Sequence, residues 1–366
     1  MKGKQFASNS RSGIRISLIT VFAAMMTIMA ASSLVAQEEQ KYKAVCIGFY
    51  NLENLFDTIL DPELRNNEEF TPKGSNQWTS EKYEAKLKHM AEVIALVGTD
   101  VVPAGLAILG VSEIENRGVL EDLVAEEKLE DRNYAIVHYD SPDRRGVDVA
   151  LLYRPDIFTV TDSKSYTLSL EDDTAFRTRD QLLVSGMIDR EKLHIIVNHW
   201  PSRRGGERKS RPLRNAAAKL TRHITDSLLA MNRDAKVIIM GDLNDDPVNP
   251  SVRTHLNAKG DKSELGRGDL YNPTYDLYRE GIGTLAYRDS WNLFDQIIIS
   301  RGLLGDDYSE FRFYKVKVFN RNFLLQKEGA YEGYPWRTFG GGVYLGGYSD
   351  HFPVYMLLIK QVDTGD

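Results

Sequence analysis

The sequence is poor in cysteine, and this scarcity excludes two common kinds of stabilising site. Cys46 is the single cysteine in 366 residues, so no intramolecular disulfide can form. The chain also contains no HExxH pattern, and with one thiol it offers no ordinary structural zinc cluster. Cys46 lies in KAVCIGFY, a segment typical of a strand, so we predict a buried and unreactive thiol. The fold must then be stabilised by its hydrophobic core, which a chain of this length can build.

The chain also lacks an excess of positive charge, internal repeats and low-complexity tracts. Its formal net charge of −6 argues against a broadly basic nucleic-acid coat, although a local basic patch stays possible. Hydrophobic residues make up 42% and charged residues 27%, as in soluble globular proteins. Segments typical of strands alternate with predicted helices over residues 43–360 without a polar linker. The clearest helix follows Thr79 and Ser80, and two others are predicted over residues 119–129 and about 211–231, whereas residues 325–349 lack periodicity and predict a long loop. We therefore predict one α/β domain over residues 37–366.

Long apolar runs are missing except at the N-terminus. There, several Lys and Arg residues precede ISLITVFAAMMTIMAASSLVA, and the chain becomes polar after Ala36. This order predicts a secretory signal peptide over residues 1–36, cleaved near Ala36. The alternative is an N-terminal membrane anchor, because the run approaches spanning length. We expect export to the periplasm or the cell exterior, without a stable membrane anchor.

Acids, amides and histidines stand at the boundaries of several predicted strands. They occur in FYNLEN (Asn51), VSEIEN (Glu113), NHWPSR (His199), GDLND (Asp242 and Asn244), FDQIIIS (Asp295) and YSDHFPV (Asp350 and His351). Turn chemistry is one explanation for the Asp-rich motif, since Asp and Asn favour turns. However, strand ends lie together in a sheet, and turns alone do not require so many of these residues. We therefore expect the side chains to converge on one site.

The oxygen ligands of this set predict a hard divalent cation. Asn51, Glu113 and Asp350 carry carboxylate or amide oxygens, which suit Mg²⁺ or Mn²⁺, and Ca²⁺ is compatible as a structural ion. Asp242 and Asn244 stand two residues apart, a spacing that can place both side chains on one face of an extended segment. One of them could hold a water while the other donates to an oxyanion.

A basic segment, SRRGGERKSRPLR, follows His199 directly. It contains Arg203, Arg204, Arg208 and Arg211, whose planar guanidinium groups match phosphate oxygens. A solvated basic loop is the ordinary interpretation of such a charge run. Its position next to His199 favours the other interpretation, so we predict that these four arginines bind phosphate or substrate.

Taken in order, the six motifs resemble the endonuclease/exonuclease/phosphatase family, the group of DNase I and exonuclease III, from about residue 43 to 359. The resemblance implies a four-layer α/β sandwich of two packed mixed β-sheets flanked by helices. It also implies divalent-metal-dependent hydrolysis of phosphoester bonds at the sheet edge. By position, Glu113 with Asn51 would bind the metal, and Asp350 would contribute to the metal or its surroundings. Asp242 and Asn244 would orient the attacking water and the phosphate.

The resemblance also implies roles for the two motif histidines. His351 would act as general base or phosphate ligand, oriented by Asp295. His199 is similar to the histidine of the DNase I branch that contacts the phosphate or protonates the leaving oxygen. That branch pairs this histidine with a carboxylate on a strand before an Arg-Pro, and in GVDVALLYRP the candidate is Asp148.

Three hypotheses about function remain open at this point. The leading one is an exported, monomeric, metal-dependent nuclease, for which we expect endonucleolytic cutting. The Arg-rich segment after His199 favours nucleic acid as the substrate, because phosphate contacts supply most non-specific affinity for nucleic acid. The second keeps the fold and site but places a lipid head group or a sugar or inositol phosphate there, since aromatics in residues 325–349 could line a small pocket. The third is a non-catalytic binding protein, which the intact main catalytic positions disfavour.

Overall fold

The computed structural model describes residues 41–62 and 67–362. Within these ranges, Tyr42–Gln361 forms one compact unit. The predicted signal peptide lies outside the described residues. Within the described ranges, no helix combines the length and the apolarity that crossing a membrane requires.

The strands and helices of the described residues alternate along the chain. The strands are β1 (Lys41–Leu55), β2 (Leu106–Ile114), β3 (Ala135–His138), β4 (Asp148–Tyr153), β5 (Phe158–Tyr166), β6 (Gln181–Ile188), β7 (Glu191–His199), β8 (Lys236–Asp242), β9 (Ala258–Lys259), β10 (Leu270–Tyr271), β11 (Leu285–Tyr287), β12 (Ser290–Asn292), β13 (Asp295–Ile299), β14 (Arg312–Val318), β15 (Phe339–Gly340), β16 (Val343–Tyr344) and β17 (Val354–Val362). The α-helices are α1 (Ser80–Leu96), α2 (Arg117–Val124), α3 (Glu207–Met231) and α4 (Thr274–Arg279). Short helical turns occupy Asn67–Phe70, Glu130–Arg132, Ser251–His255, Lys262–Glu264, Arg301–Leu303 and Asn322–Leu324.

Two large mixed sheets organise these strands. One has six strands in the order β14-β17-β1-β2-β4-β3, and the other has seven in the order β5-β6-β7-β8-β13-β10-β9. In the first sheet β1 runs parallel to β2, whereas β2 and β4 are antiparallel. In the second sheet β7 runs parallel to β8, whereas β8 and β13 are antiparallel. The remaining strands form the small hairpins β11-β12 and β15-β16.

The alternation of side chains along the strands produces four layers. In β1, Ile47 and Phe49 pack into the core between the two sheets, whereas Cys46 and Tyr50 pack with α1 and α2. Residues of β8 alternate in the same way between the inter-sheet core and α3. The predicted four-layer α/β sandwich is therefore confirmed. Burial also raises the pKa of the Cys46 thiol to about 12, as expected for an unreactive cysteine.

Three local predictions from the sequence need adjustment. Helix α3 begins at Glu207 rather than near Arg211, because two glycines with positive φ end the preceding loop and an acidic residue opens the first turn. Helix α2 covers Arg117–Val124 rather than residues 119–129, and it is capped by Asn116, whose side chain accepts a hydrogen bond from the Val119 N–H. Residues 325–349, predicted as a loop, contain the hairpin β15-β16.

One buried histidine of the seven-stranded sheet predicts a dependence of stability on pH. His194 in β7 is buried, its Nδ1 lies 2.7 Å from Ser185 Oγ, and burial lowers its pKa to about 4. An unfolded chain therefore binds a proton between about pH 6.5 and pH 4 that the folded chain does not, so stability falls as the pH falls through this window. Between pH 7 and pH 5 this group should remove about 2 kcal/mol of unfolding free energy.

Urea unfolding at both pH values checks this expectation. Between pH 7 and pH 5, the unfolding free energy of His194→Asn should fall by about 2 kcal/mol less than that of the wild type. The exposed control His223→Asn should show the same fall as the wild type. An unchanged pH dependence in His194→Asn would contradict the assignment.

Candidate active site

The seven-stranded sheet places three predicted site residues side by side. His199 at the end of β7 pairs in register with Asp242 at the end of β8, and Asp242 pairs with Asp295 at the start of β13. Residues paired across neighbouring strands point to the same face of a sheet. All three side chains are buried, so their polar groups must be satisfied by each other or by a bound group.

The six-stranded sheet brings a second set of residues to the same place. Asn51 in β1 lies opposite Ser112 in β2, and Glu113 follows Ser112 directly. The Asn51 Nδ2 donates to Asp242 Oδ2 at 3.2 Å, which joins the ends of the two sheets. Glu113 has a φ of +59°, and for a residue with a Cβ this left-handed conformation costs about 1–3 kcal/mol. Such strain is typical of functional sites.

His351 and Asp350 come from the loop before β17. The His351 Nδ1 lies 2.7 Å from Asp295 Oδ2, so this carboxylate fixes the orientation of the ring. Its Nε2 lies 3.9 Å from both Asp242 Oδ2 and Asp350 Oδ1. The neighbouring Ser349 hydroxyl donates to the Asn51 carbonyl at 2.7 Å and anchors this loop to β1.

His199 does not have the predicted carboxylate partner. It completes a group of side chains that we call the cluster: Asn51, Glu113, His199, Asp242, Asp295, Asp350 and His351. Its Nε2 lies 3.6 Å from Glu113 Oε1 and 3.6 Å from Asp242 Oδ2. Its Nδ1 is buried without a hydrogen-bond partner among the described residues. Asp148 instead lies 2.9 Å from His138 Nε2, because β3 pairs antiparallel with β4 and brings His138 beside it. The structure therefore does not bring Asp148 to His199.

The two motif histidines differ in their electrostatic surroundings. Burial alone would lower the pKa of His351, but the carboxylates of Asp295 and Asp350 outweigh it and raise this pKa well above its ordinary value. Burial and the nearby guanidinium of Arg179 hold the pKa of His199 well below its ordinary value. Burial also raises the pKa of Asp242 to about 7, against the opposing effect of His351. The site thus combines a cationic imidazole with a neutral one.

The oxygen atoms at the mouth of the cluster fit a hard divalent cation. Glu113 Oε1 and both oxygens of Asp350 accept no hydrogen bond from the described part of the chain, and both side chains are partly exposed. Asn51 is buried next to them in β1, where its amide oxygen accepts a hydrogen bond from the Glu53 N–H at 2.9 Å and keeps a second lone pair of the same hard type. The ligand atoms of Asp242, Asp295 and His351 also lie within 4.8 Å of one another. In that second group the His351 Nδ1 and Asp295 Oδ2 already hydrogen-bond to each other, so these two atoms are less available to a metal. The oxygens of Glu113 and Asp350 therefore fit a metal better.

Asn244 follows Asp242 in a left-handed conformation, with a φ of +51°. Its backbone N–H donates to Asp242 Oδ1 at 2.9 Å, and its Nδ2 donates to the Trp200 carbonyl at 3.0 Å. These bonds fix the GDLND turn and hold the Asn244 amide beside the cluster. The turn therefore belongs to the site as well as to the local chain reversal.

The four arginines predicted to bind phosphate have different environments. The Arg203 Nη2 lies 3.0 Å from Asp245 Oδ1 and 3.3 Å from Asp246 Oδ2, and Arg211 pairs with Glu207 at 2.8 Å. Arg204 and Arg208 are exposed and have no ion pair among the described residues. Internal carboxylates thus neutralise two of the predicted phosphate ligands, and the basic segment offers less free positive charge than its sequence suggests.

Several charged residues near the cluster were missed by sequence reasoning. Arg145 Nη2 lies 3.9 Å from Glu113 Oε1, and Arg179 donates to the Trp200 carbonyl at 2.6 Å. Lys86 is buried on α1 and lies 3.8 Å from Glu53 Oε2. The available signals were a basic pair just before the strand VDVALLYR, and a lysine on the apolar face of a predicted helix.

A pocket of about 340 Å³ adjoins the mouth of the cluster. Its lining comprises Glu53, Asn54, Phe56, Glu69, Phe70, Asn76, Arg145, Arg337, Thr338, Phe339, Gly342 and Asp350. A larger concavity of about 760 Å³ is lined by residues between Thr58 and Ser75 and contains none of the cluster residues. Of these two, the smaller pocket shares a wall with the candidate chemistry through Asp350.

The architecture and the motifs agree with a known family. The profile of the Endonuclease/Exonuclease/phosphatase family matches residues 46–360. Among curated proteins, none matches this chain. The chain belongs to the endonuclease/exonuclease/phosphatase family and is a metal-dependent phosphoester hydrolase. The family membership and the enzyme class predicted from the motifs are confirmed.

Solved structures similar to this chain share its fold at low sequence identity. D. rerio TDP2 complexed with a single-strand DNA product has a TM-score of 0.51 and 13% identity, covering 86% of this chain and 99% of that chain. The mannosyl-6-phosphatase Bt3783 of Bacteroides thetaiotaomicron VPI-5482 has a TM-score of 0.50 and 17% identity, covering 87% and 100%. Another Bacteroides thetaiotaomicron protein of the family has a TM-score of 0.50 and 16% identity, covering 88% and 100%.

Proposed function

We propose that this enzyme hydrolyses small phosphoesters, such as sugar or inositol phosphates. The observation that supports this choice is the pocket of about 340 Å³ beside the candidate metal ligands, a size within the range of small-molecule sites. The ion pairs of Arg203 with Asp245 and of Arg211 with Glu207 also favour a small substrate, because these two cations are then less available to the phosphates of a nucleic-acid strand. The mannosyl-6-phosphatase with the same fold is an example of such a substrate class on this scaffold.

The residues of the cluster can divide the work of phosphoester hydrolysis. Glu113, Asp350 and Asn51 would hold Mg²⁺, which supplies charge stabilisation and orients the phosphate when bound. The cationic His351, held by Asp295, donates to a phosphate oxygen on which negative charge accumulates. The neutral His199 is able to accept or pass on a proton at Nε2. Asn244 and Asp242 stand where a water and a phosphate oxygen can be oriented.

Nucleic-acid hydrolysis is the second candidate, since Arg204 and Arg208 are exposed on the segment that follows His199. The neighbour TDP2 holds a single-strand DNA product on the same fold. Under this alternative the enzyme would act as a nuclease, and activity on DNA or RNA would fall steeply with added salt.

A substrate panel distinguishes the two candidates. Purified enzyme and a His199→Ala/His351→Ala double variant would be incubated with sugar phosphates, inositol phosphates and supercoiled plasmid, with Mg²⁺ or with EDTA. We expect phosphate release from a small ester that needs Mg²⁺ and disappears in the double variant, with the plasmid left intact. Mg²⁺-dependent nicking would establish the nuclease instead. Turnover that persists in EDTA would contradict the metal assignment.

Export is part of the proposal. The basic residues, the apolar run and the small residues before Gln37 support a cleaved signal peptide. Mass spectrometry of the protein recovered from the cell envelope or medium should find an N-terminus near Gln37. An uncleaved N-terminus in the cytoplasmic fraction would overturn it.

A further inference from the structure

Two arginines in the pocket beside the cluster have guanidinium groups without a close partner. Arg145 has its nearest carboxylate oxygens at 3.8 Å, on Asp143, and at 3.9 Å, on Glu113, and its guanidinium makes no hydrogen bond within the described residues. Arg337 lies over the Tyr331 ring at 4.9 Å, its Nε is buried without a partner, and it has no ion pair in the described part of the chain. Buried donors are nearly always hydrogen-bonded by protein, ordered water or a bound group, so the unpartnered Arg337 Nε is compatible with a ligand in this pocket.

The acidic groups of the same pocket do not satisfy these guanidinium groups. Glu53 lies beside the buried ammonium of Lys86 and accepts a hydrogen bond from the Thr338 N–H at 2.7 Å. Glu69 is exposed at the pocket rim, and Asp350 belongs to the candidate metal ligands. Arg145 and Arg337 both line the cavity, Arg145 with only the long contacts to Asp143 and Glu113 and Arg337 with no ion pair among the described residues. Guanidinium groups placed in this way can recognise phosphate or carboxylate oxygens.

The pocket lies next to the position assigned to the reacting phosphate and does not include it. His199, His351 and Asn244 do not line the pocket, whereas Asp350 belongs to both the pocket and the candidate metal ligands. An anion bound by Arg145 and Arg337 would thus be a neighbour of the scissile group. We propose that the pocket binds a second anionic group of the substrate, so that the enzyme acts on small phosphoesters bearing a further phosphate or carboxylate. This inference rests on the proposed small-phosphoester function.

The wall that carries Arg337 is held in place before any ligand binds. The Lys86 Nζ donates to Thr338 Oγ1 at 2.7 Å and to the Tyr348 carbonyl at 2.5 Å, so it fastens both ends of the β15-β16 segment. The Gly347 N–H also donates to the Arg337 carbonyl at 3.1 Å. A fixed wall lowers the ordering cost of binding, and this favours a specific anion site over a passing ion contact.

Binding to a catalytically inactive background tests this proposal without turnover. Isothermal titration of His199→Ala/His351→Ala would compare fructose 1,6-bisphosphate with fructose 6-phosphate, and 3-phosphoglycerate with glycerol 3-phosphate. The first pair adds a second phosphate and the second pair adds a carboxylate. At least one doubly anionic ligand should bind about 10-fold more tightly than its partner, and Arg337→Met or Arg145→Met should remove that preference. Arg233→Met, which changes an exposed arginine outside the pocket, should leave it unchanged.

The outcomes separate the pocket from the chemistry. Equal affinities within both ligand pairs would overturn the proposal. If Arg337→Met and Arg145→Met weaken the binding of singly and doubly anionic ligands by the same factor, the proposal is also overturned, because the arginines would then hold the scissile phosphate. Tighter binding of a doubly anionic ligand that depends on the two arginines, together with no hydrolysis of any small phosphoester by the wild type, would support the pocket assignment and refute the proposed function.

Discussion

His351→Ala should reduce kcat/KM by about 10²–10⁴-fold on whichever substrate the panel identifies. The imidazole lies within a cluster of carboxylates that keeps its pKa well above the ordinary value, after the opposing effect of burial is overcome. It therefore provides a positive donor between Asp242 and Asp350, whose nearest oxygens each lie 3.9 Å from its Nε2. Alanine removes the donor and leaves phosphate charge unbalanced in the transition state.

The partner of His351 provides an internal check on this prediction. Because Asp295 holds Nδ1 at 2.7 Å, it acts through the histidine and should not add an independent effect. Asp295→Asn should lower kcat/KM, while Asp295→Asn combined with His351→Ala should be no slower than His351→Ala alone. The exposed His223→Ala serves as the control for histidine removal, and circular dichroism checks that each variant is folded. Losses that add independently would contradict this arrangement.

Lys86→Met should destabilise the fold by about 3–5 kcal/mol, since it leaves a buried carboxylate without its cation. Lys86 is 1% exposed and supplies hydrogen bonds to Thr338 and Tyr348 as well as charge to Glu53. Burial and the carboxylate of Asp350 already raise the pKa of Glu53 to about 7 with the lysine in place. Without the lysine, Glu53 must be buried charged or take up a proton on folding.

Urea unfolding at pH 8 measures this loss. Lys88→Met, an exposed lysine on the same helix, is the matched control and should change stability by less than about 0.5 kcal/mol. Adding Glu53→Gln to Lys86→Met should recover part of the lost stability, because it removes the uncompensated charge. A Lys86→Met variant as stable as Lys88→Met would show that the buried ion pair contributes nothing.

Much of the fold and of the candidate site could be predicted from the sequence. Short apolar segments bounded by polar residues predicted the strands, and the order of the motifs predicted the family. Asp242, Asp295 and His199 were identified as separate motif residues, and the strand register then placed them side by side. Each of these inferences depends on short-range pattern, or on a motif that can be recognised within a few residues.

The partners of the charged side chains were decided only by the tertiary structure. Asp148 pairs with His138 because β3 lies against β4, and Arg203 is neutralised by Asp245 from a loop about 40 residues away along the chain. Arg337 and Arg145 meet in one pocket although they stand far apart in sequence. Ion pairs and hydrogen bonds depend on distances of a few ångströms between elements that only packing brings together. The sequence by itself therefore determined the fold class, the family and the principal site residues, whereas packing decided which of the charges remain free for a substrate.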